Sequence, residues 1–324
     1  MHYGLLLPAG QAQLPVTAVV ELAREAERLG FDSVWAGDSL VRARAEPLTL
    51  LTAVAQATER VTVGTAALLP AFRQPVQAAC AISTLDQLSG GRLVLGLGAG
   101  FPGFSEPEFD LVGVRFKTRF SHLDDVARLW RDLWTGTPRS FHGKVLHHDW
   151  LPDVPAPSRP GGPPLWLAGA TPSALRRTAD LYDGWLPYPP DPADYARGLT
   201  TIRSLSDRPI TPALFATAFI ADDPARGRQS LDTYCQATYA RPLSVIGTIQ
   251  TMLTGPVETV AAGLREYELA GADHILIRIA ALDADVVADQ LHLLAGLLPT
   301  NFRNTEPPSA FHPCREWIPT REIR

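Results

Sequence analysis

Residues 61–97, VTVGTAALLPAFRQPVQAACAISTLDQLSGGRLVLGL, contain the pattern that decides the fold. The β-branched run Val61–Leu69 predicts a strand, and the fully apolar run Leu93–Leu97 predicts a second strand that is buried on both faces. Between them, Pro75–Leu88 predicts a helix with proline in its first turn, which Ser89-Gly90-Gly91 ends. Two buried strands joined by a helix are typical of a parallel βαβ unit.

The same alternation of short apolar runs with helical patterns continues on both sides of this unit. The further predicted strands are Tyr3–Leu7, Ser33–Ala36, Leu165–Ala168, Gly184–Leu186, Ile210–Ile220 and His274–Ala280. The further predicted helices are Thr17–Leu29, Pro47–Thr58, Phe116–Trp134, Pro172–Leu181, Pro192–Leu205, Pro256–Ala270 and Asp285–Leu298. Such α/β alternation allows a closed (β/α)8 TIM barrel or an open doubly wound sheet, and eight strands favour the barrel.

Two segments interrupt this alternation. Residues 135–163 contain six prolines, which predicts an insertion after the fourth helix, with a hairpin around Phe141-His142-Gly143-Lys144. Residues 224–252 are helical only in part and form a second insertion before the last βα unit. We therefore predict one barrel domain over residues 1–299, followed by a polar C-terminal tail, residues 300–324.

Composition narrows the class of protein. The 324-residue chain has 46% hydrophobic residues and a formal net charge of −5, which excludes a disordered chain and argues against nonspecific nucleic-acid binding. It contains no 18-residue uncharged apolar run, so we expect no membrane span. Residues 1–8 are too short and uncharged for a signal peptide. The well-separated Cys80, Cys235 and Cys314 suit a reducing, cytoplasmic environment.

The loops that follow barrel strands form the active face, so we expect functional residues there. After strand two, Asp38 is either a charge-orienting group or a turn cap. After strand three, the small residues 64–67 allow either a flat ligand or a packed helix to approach the backbone. After strand four, residues 96–100 form a ligand floor or a plain turn. They are no dinucleotide fingerprint, because Phe101 stands where glycine is required.

Two further strand ends allow two interpretations each. Gly169-Ala170-Thr171-Pro172 opens a helix whose free N–H groups suit a phosphate, although an ordinary helix capped by Thr171 fits this motif better when it is taken alone. Arg278, at the end of the last strand, could attract an anionic substrate or phosphate, or pair with a loop carboxylate. The two lysines lie in a helix and an insertion, which disfavours a Schiff-base aldolase, and the histidines predict no metal site.

Taken together, these motifs resemble the bacterial-luciferase-like family of flavin- or deazaflavin-dependent oxidoreductases. The matching stretches are Leu29–Asp38, Ala57–Thr65, Ala81–Gly100, Leu133–Gly136, Pro163–Gly169 and Ala270–His274. The resemblance runs from about residue 2 to residue 299. It implies a (β/α)8 barrel with an insertion, often a homodimer, that binds FMN or the deazaflavin coenzyme F-420 without a covalent bond.

The resemblance also implies roles for residues at the strand ends. Asp38 and Ser39 match positions that face the flavin ring and are the predicted catalytic residues. Ala66 and Ala67 match a bulge where the family commonly has a non-prolyl cis peptide beneath the ring. The other predicted cofactor-binding residues are Gly98, Ala99 and Gly100 beside the ring, and Gly169, Ala170 and Thr171 at the phosphate. The predicted substrate pocket consists of Leu40, Phe72, Phe101, Phe104 and Arg278.

Two departures from the family pattern bear on the reaction. Many members have histidine where Ser39 stands, and deazaflavin-dependent sugar and alcohol dehydrogenases have a carboxylate at the position of Phe101. Oxidation of an alcohol by hydride transfer requires a base for the hydroxyl proton, and neither residue serves as one. The sequence therefore disfavours an alcohol dehydrogenase.

The leading hypothesis is a monooxygenase that uses reduced FMN and O2 on a small organic substrate. A separate flavin reductase would supply the reduced FMN, and Ser39 would donate a hydrogen bond to the peroxide or the substrate. The same-fold alternative is a reductase that uses reduced coenzyme F-420 on an imine or activated alkene. An alternative of another class is a non-catalytic flavin-binding barrel.

Overall fold

Eight parallel strands close into a barrel in the computed structural model, which describes residues 1–8, 10, 14–136 and 139–298. The strands are β1 (His2–Leu6), β2 (Ser33–Ala36), β3 (Thr62–Leu68), β4 (Leu93–Leu97), β5 (Phe141–His142), β6 (His147–His148), β7 (Leu165–Leu167), β8 (Gly184–Trp185), β9 (Thr211–Ile220), β10 (Met252–Gly255) and β11 (His274–Ile279). The ring runs β1-β2-β3-β4-β7-β8-β9-β11, and β11 pairs with β1. The predicted (β/α)8 barrel is confirmed.

Helices surround this ring. They are α1 (Val16–Leu29), α2 (Pro47–Ala57), α3 (Pro75–Leu88), α4 (Glu106–Leu111), α5 (Arg119–Thr135), α6 (Pro172–Leu181), α7 (Pro192–Leu205), α8 (Pro224–Tyr239), α9 (Leu243–Ile246), α10 (Val257–Leu269) and α11 (Ala284–Ala295). Proline fills the first position of many of them, and Thr171, Asp191 and Asp223 accept hydrogen bonds from the N–H groups that follow. No helix in the described ranges is both long and apolar enough to cross a bilayer.

Three local features differ from the sequence prediction. Helix α4 lies in a segment to which the sequence assigned no element. Strand β10 lies at the end of the segment 224–252, where it pairs with the C-terminal half of β9 while β8 pairs with the N-terminal half. Helix α1 begins at Val16, one residue before its predicted start, and it buries Val19, Ala23 and Ala26.

The first insertion contains the predicted hairpin, in which β5 and β6 pair antiparallel. Asp125 of helix α5 holds this hairpin, because its Oδ2 accepts hydrogen bonds from the N–H groups of Val145 (2.7 Å) and Leu146 (3.1 Å). A side chain at Gly143 would collide with the same carboxylate, since a Cβ there would lie 2.4 Å from Asp125 Cγ. The hairpin is therefore fastened to helix α5 by this carboxylate. The predicted tail, residues 300–324, lies outside the described residues.

Two tryptophans fill the interior of the barrel. Trp35 of β2 and Trp166 of β7 are buried, with ring centroids 5.2 Å apart. Neighbouring strands make room for Trp35 by carrying glycine, because a Cβ on Gly4 would lie 2.7 Å from its Nε1 and a Cβ on Gly64 would lie 2.3 Å from its Cε3. Gly184 has the same relation to Trp166. These rings leave ligand space only at the ends of the barrel.

A buried histidine closes the amino-terminal end of the barrel. His274 Nε2 lies 2.8 Å from the hydroxyl oxygen of Ser33, and that oxygen also accepts a hydrogen bond from Trp35 Nε1 at 2.7 Å. Burial, together with repulsion from His2 and the N-terminal ammonium group, lowers the pKa of His274 from 6.5 to about 3. The folded protein therefore keeps this imidazole neutral across the physiological range.

His274 makes stability depend on pH. The unfolded chain protonates this side chain below its ordinary pKa of 6.5, whereas the folded protein resists protonation down to about 3, so stability is lost as pH falls through this window. When the pH is lowered from 7 to 5, we expect the free energy of unfolding to fall by roughly 2 kcal/mol more in wild type than in the variant His274→Gln. Urea unfolding at both pH values measures the difference.

The matched control is His147→Gln, since His147 is exposed on the hairpin. This variant should lose the same stability as wild type when the pH is lowered. An equal loss in wild type and His274→Gln would contradict a neutral, buried His274.

Candidate functional site

A cavity of about 520 Å³ lies at the carboxyl ends of the barrel strands. A smaller cavity of about 140 Å³ continues from it towards the tryptophan core, sharing Tyr188 and Phe215 and adding Leu186 to the lining. Ligand pockets typically measure about 300–1,000 Å³, so the larger cavity accommodates a small-molecule cofactor or substrate. The predicted site residues that line it are Asp38, Ser39, Ala66, Ala67, Gly98, Ala99, Gly100, Phe101, Phe104 and Arg278.

Small residues form one wall of this cavity. Ala66 and Ala67 end strand β3 and are joined by the predicted cis peptide bond, at the point where the register between β3 and β4 shifts. Gly98 follows β4, and a Cβ there would lie only 3.2 Å from the Cβ of Ala67. Ala99 and Ala168 continue the same lining. A flat ring can therefore approach the backbone of β3 and β4, which a larger side chain would prevent.

Asp38 lines the cavity, but its carboxylate is already bound. Its Oδ2 accepts hydrogen bonds from Arg73 Nη1 (2.5 Å) and from the backbone N–H of Leu69 (3.0 Å), and its Oδ1 accepts one from Arg73 Nη2 at 3.2 Å. Arg73 also binds Glu46, which caps helix α2. The Asp38 carboxylate therefore fastens the loop after β2 to the loop after β3, and both of its oxygens are occupied by donors from the protein.

Ser39 has a carboxylate partner that the sequence did not reveal. Its hydroxyl donates to Glu108 Oε1 at 2.5 Å, and the same oxygen accepts from the N–H groups of Leu40 (2.8 Å) and Val41 (3.4 Å). Glu108 belongs to helix α4, is buried and lines the cavity beside Ser39. Because Ser39 donates its proton to Glu108, the lone pairs of its oxygen remain available to a ligand.

Aromatic side chains form another wall. Phe101 and Phe104 lie with ring centroids 5.5 Å apart, and Phe104 meets Tyr239 of helix α8 at 6.3 Å. The other two predicted pocket residues lie elsewhere. Leu40 is 46% exposed, and Phe72 packs edge-to-face on Phe109 beneath helix α4, with ring centroids 5.6 Å apart. Helix α4, which the sequence did not predict, thus holds Phe72 away from the cavity through Phe109.

The predicted phosphate loop lies at the start of helix α6 and does not contribute to the lining of the cavity. Thr171 caps this helix by accepting a hydrogen bond from the N–H of Ala174, and the carbonyl of Gly169 accepts one from Trp185 Nε1 at 2.8 Å. A separate groove of about 270 Å³ runs along the same helix and is lined by Arg128, Lys144 and Arg176, with Asp124 and Asp180 among them.

Arg278 lines both cavities from strand β11, and the partners of its guanidinium are all uncharged. Nε and Nη2 donate to Thr217 Oγ1 at 3.0 and 2.7 Å, Nη2 also donates to Gln250 Oε1 at 3.0 Å, and Nη1 donates to the hydroxyl of Tyr239 at 2.6 Å. No carboxylate of the described residues lies within ion-pair distance of it. The structure therefore disagrees with the salt-bridge interpretation of Arg278.

Several lining residues could not be found from local sequence patterns. Glu108 lies 69 residues from Ser39, and only the closed barrel brings the two together. Tyr239 and Gln250 lie in the second insertion, where the periodicity is weak. Arg42 and Arg44, in contrast, follow strand β2 closely and could have been suggested by their position. Within the part of the chain that the structure describes, no three His, Cys, Asp or Glu side chains are grouped as metal ligands.

Comparison with known proteins places these observations in a family. Residues 1–274 match the model of the family described as luciferase-like monooxygenase. The F-420-dependent glucose-6-phosphate dehydrogenase of Amycolatopsis mediterranei is 34% identical over 183 residues, which are 52% of this chain and 52% of that protein. The chain therefore spans about half the length of the curated relatives it matches.

Two solved structures share the fold. An F-420-dependent secondary alcohol dehydrogenase in complex with an F-420–acetone adduct has a TM-score of 0.77 at 20% identity, covering 92% of this chain and 98% of that chain. A monooxygenase from Streptomyces bottropensis has a TM-score of 0.75 at 21% identity, with the same coverage of both chains. At this level of identity the likeness concerns the barrel alone.

Proposed function

Because the chain belongs to the luciferase-like monooxygenase family, we propose that it is an oxidoreductase that binds coenzyme F-420 in the strand-end cavity and oxidises an alcohol. The observation that carries this proposal is the Glu108 carboxylate against the Ser39 hydroxyl, with an Oε1–Oγ distance of 2.5 Å. Alcohol oxidation needs a proton acceptor beside the reacting carbon, and this pair provides one. Similarity to a relative named as F-420-dependent favours the deazaflavin over FMN.

The small-residue wall suits the ring of the cofactor. Ala66, Ala67 and Gly98 present backbone and methyl groups to the cavity, and a Cβ on Gly98 would already fill part of the space next to Ala67. When bound, the deazaflavin supplies a two-electron acceptor for the substrate carbon. The chain itself supplies the binding surface, the exclusion of water by the aromatic wall and the group that takes the proton.

Ser39 and Glu108 act together on that proton. The Ser39 oxygen accepts the hydroxyl proton of the substrate while its own proton moves to Glu108 Oε1. The net result is that one proton leaves the substrate and the Glu108 carboxylate becomes a carboxylic acid. The N–H groups of Leu40 and Val41 hold the same oxygen in place. The sequence disfavoured alcohol oxidation because neither Ser39 nor Phe101 can act as a base. Glu108 supplies the carboxylate that this argument did not include.

Asp38 is a positioning residue in this proposal. Its two oxygens accept from Arg73 and from the N–H of Leu69, so it is held as an ion pair and is not free to take a proton from a substrate. Its contribution is to fix the backbone that carries Ser39, one residue further along the chain.

The second candidate function is the FMN-dependent monooxygenase. It is favoured by the aromatic wall of Phe101, Phe104 and Tyr239, which would keep water away from a flavin bound in the cavity. In that case a separate flavin reductase would supply reduced FMN. A homodimeric state and a cytoplasmic location stay predictions from the sequence under either function, and so does the reverse use of F-420 to reduce an imine or activated alkene.

Cofactor binding tests the choice between the two candidates. Titration of the purified protein with F-420, followed by fluorescence quenching, should give saturable binding that is tighter than the binding of FMN. In Gly98→Leu the new side chain would project against Ala67, so we expect F-420 affinity to fall at least about tenfold. The control Ala288→Leu, on an exposed position of helix α11, should bind as wild type does.

The opposite pattern would contradict the proposal. Tight binding of FMN with none of F-420 would favour the monooxygenase. Equal F-420 affinity in wild type and Gly98→Leu would place the cofactor outside the cavity.

Turnover tests the proton acceptor. We expect Glu108→Gln to keep the acceptor oxygen for Ser39 and Leu40 but to remove the base, so the F-420-loaded variant should oxidise a panel of secondary alcohols at least about 100-fold more slowly. Its affinity for F-420 should be unchanged. The exposed Asp110→Asn on the same helix is the matched control. Undiminished turnover in Glu108→Gln would refute the role of this carboxylate.

A further inference from the structure

The guanidinium of Arg278 is a buried cation at the cavity wall without an anionic partner. Its side chain makes four hydrogen bonds to Thr217, Gln250 and Tyr239, all of them neutral. Five N–H groups are available to a guanidinium, so one remains for a ligand. The rings of Phe215 and Tyr234 also contact this guanidinium, with ring centroids 5.0 and 5.2 Å from its central carbon.

Arg278 keeps its charge in this setting. Burial by itself lowers the pKa of Arg278, but electrostatic interactions with Tyr239, Tyr234 and Cys235 and the hydrogen bond to Tyr239 outweigh burial, and the pKa is raised above its usual value. A buried charge without a counter-ion costs free energy that a structure recovers when an opposite charge binds. The charge is therefore consistent with a site that is completed by an anion.

Two more arginines reach the same part of the cavity from the loop after β2. Arg42 lies over the ring of Tyr239, with its central carbon 5.7 Å from the ring centroid, and Arg278 lies at 5.4 Å from the same centroid. Arg44 also lines the cavity, and its Nε is buried without a hydrogen-bond partner. Burial lowers the pKa of Arg44, and repulsion by Arg42 and Arg278 lowers it further. We call Arg42, Arg44 and Arg278 the arginine cluster.

The carboxylates of the cavity form no ion pair with this cluster in the described residues, although Asp38 attracts Arg44 from a longer distance. Two carboxylates line the cavity, Asp38 and Glu108. Asp38 is already paired with Arg73, and Glu108 accepts its hydrogen bonds from Ser39 and two backbone N–H groups. Inside a concave, partly desolvated site the three guanidinium groups therefore attract anions from solution.

Arg278 lies across the barrel from the loop after β4. In the closed ring, β11 lies opposite β4, with β1, β2 and β3 between them on one side. Gly98, Ala99 and Gly100 follow β4, whereas Arg278 lies near the end of β11 and also lines the smaller cavity with Ala66 and Ala67. A cofactor ring against Gly98 and Ala99 would therefore face Arg278 across the space that remains for a substrate.

We propose that Arg42, Arg44 and Arg278 form a subsite that binds a carboxylate or phosphate group of the substrate. The proposed substrate is thus an anionic alcohol, whose charged end contacts the arginine cluster and whose hydroxyl end reaches Ser39. Charge-assisted hydrogen bonds from guanidinium groups suit both kinds of oxyanion. This inference rests on the proposed function, namely that the substrate is an alcohol and shares the cavity with the cofactor.

Binding of simple anions tests this subsite without knowledge of the substrate. We suggest isothermal titration calorimetry of the full chain with inorganic phosphate and with acetate, at constant ionic strength. At least one of these anions should bind to the wild-type protein saturably. In Arg278→Gln and in Arg44→Gln we expect the affinity to fall by about tenfold or more. The matched control is Arg176→Gln in the groove along helix α6, which should bind as wild type does.

A second arm distinguishes the substrate from the phosphate of the cofactor as the source of the anion. Protein saturated with F-420 should bind phosphate or acetate as the unloaded protein does, and Arg278→Gln should bind F-420 with unchanged affinity. If F-420 excludes these anions, the cluster serves the cofactor and the proposal is overturned.

The remaining outcomes are also decisive. Absence of anion binding in wild type, or undiminished binding in both folded variants, overturns the subsite. If the protein binds no F-420 but binds phosphate in a way that depends on Arg44 and Arg278, the proposed function fails and the subsite is supported. Circular dichroism of each variant verifies that a loss of binding does not reflect a loss of fold.

Discussion

The contact between Trp35 and Trp166 in the middle of the barrel is the constraint on which the site depends. The two rings fill the space inside the barrel between β2 and β7, and glycines at positions 4, 64 and 184 make that possible by leaving out the side chains that would collide with them. Because the interior is packed, a ligand can enter only at an end of the barrel. The carboxyl end has small residues on β3 and β4, and the cavity forms there.

Charged side chains are distributed unevenly around that cavity, so its walls differ in the ligand groups that they can bind. One carboxylate, Asp38, is neutralised by Arg73 and fastens two loops together. The other, Glu108, accepts hydrogen bonds from neutral donors, and in the proposed function it takes a proton through Ser39. The hydrogen-bond partners of the Arg278 guanidinium in the described residues are all neutral, so no carboxylate neutralises its charge. A wall for a flat ring, a proton acceptor and a cationic corner therefore meet within one cavity of about 520 Å³.

The sequence predicted the barrel well because each βα unit is encoded locally. The eight ring strands agree with their predicted ranges to within a residue or so, and Thr171 caps its helix as its motif suggests. Positions at or just after the strand ends, such as Ser39, Ala67 and Gly98, were found for the same reason. The partners of these residues were not, because Glu108, Tyr239 and Gln250 reach the cavity through a short helix and an insertion without clear periodicity. The role given to Ser39 changes most, since its chemistry depends on a carboxylate that local patterns cannot pair with it.

The central claim is that a deazaflavin binds against the small-residue wall, with Ser39 and the arginine cluster facing the space beside it. A crystal structure of the protein with F-420 bound tests this claim most directly. We expect density for the tricyclic ring next to Ala66, Ala67 and Gly98. The Ser39 hydroxyl should face the open space beside the ring, and Arg278 should make no contact with the cofactor's phosphate. Density for the ring in the groove along helix α6, or for the cofactor's phosphate on Arg278, would contradict the account.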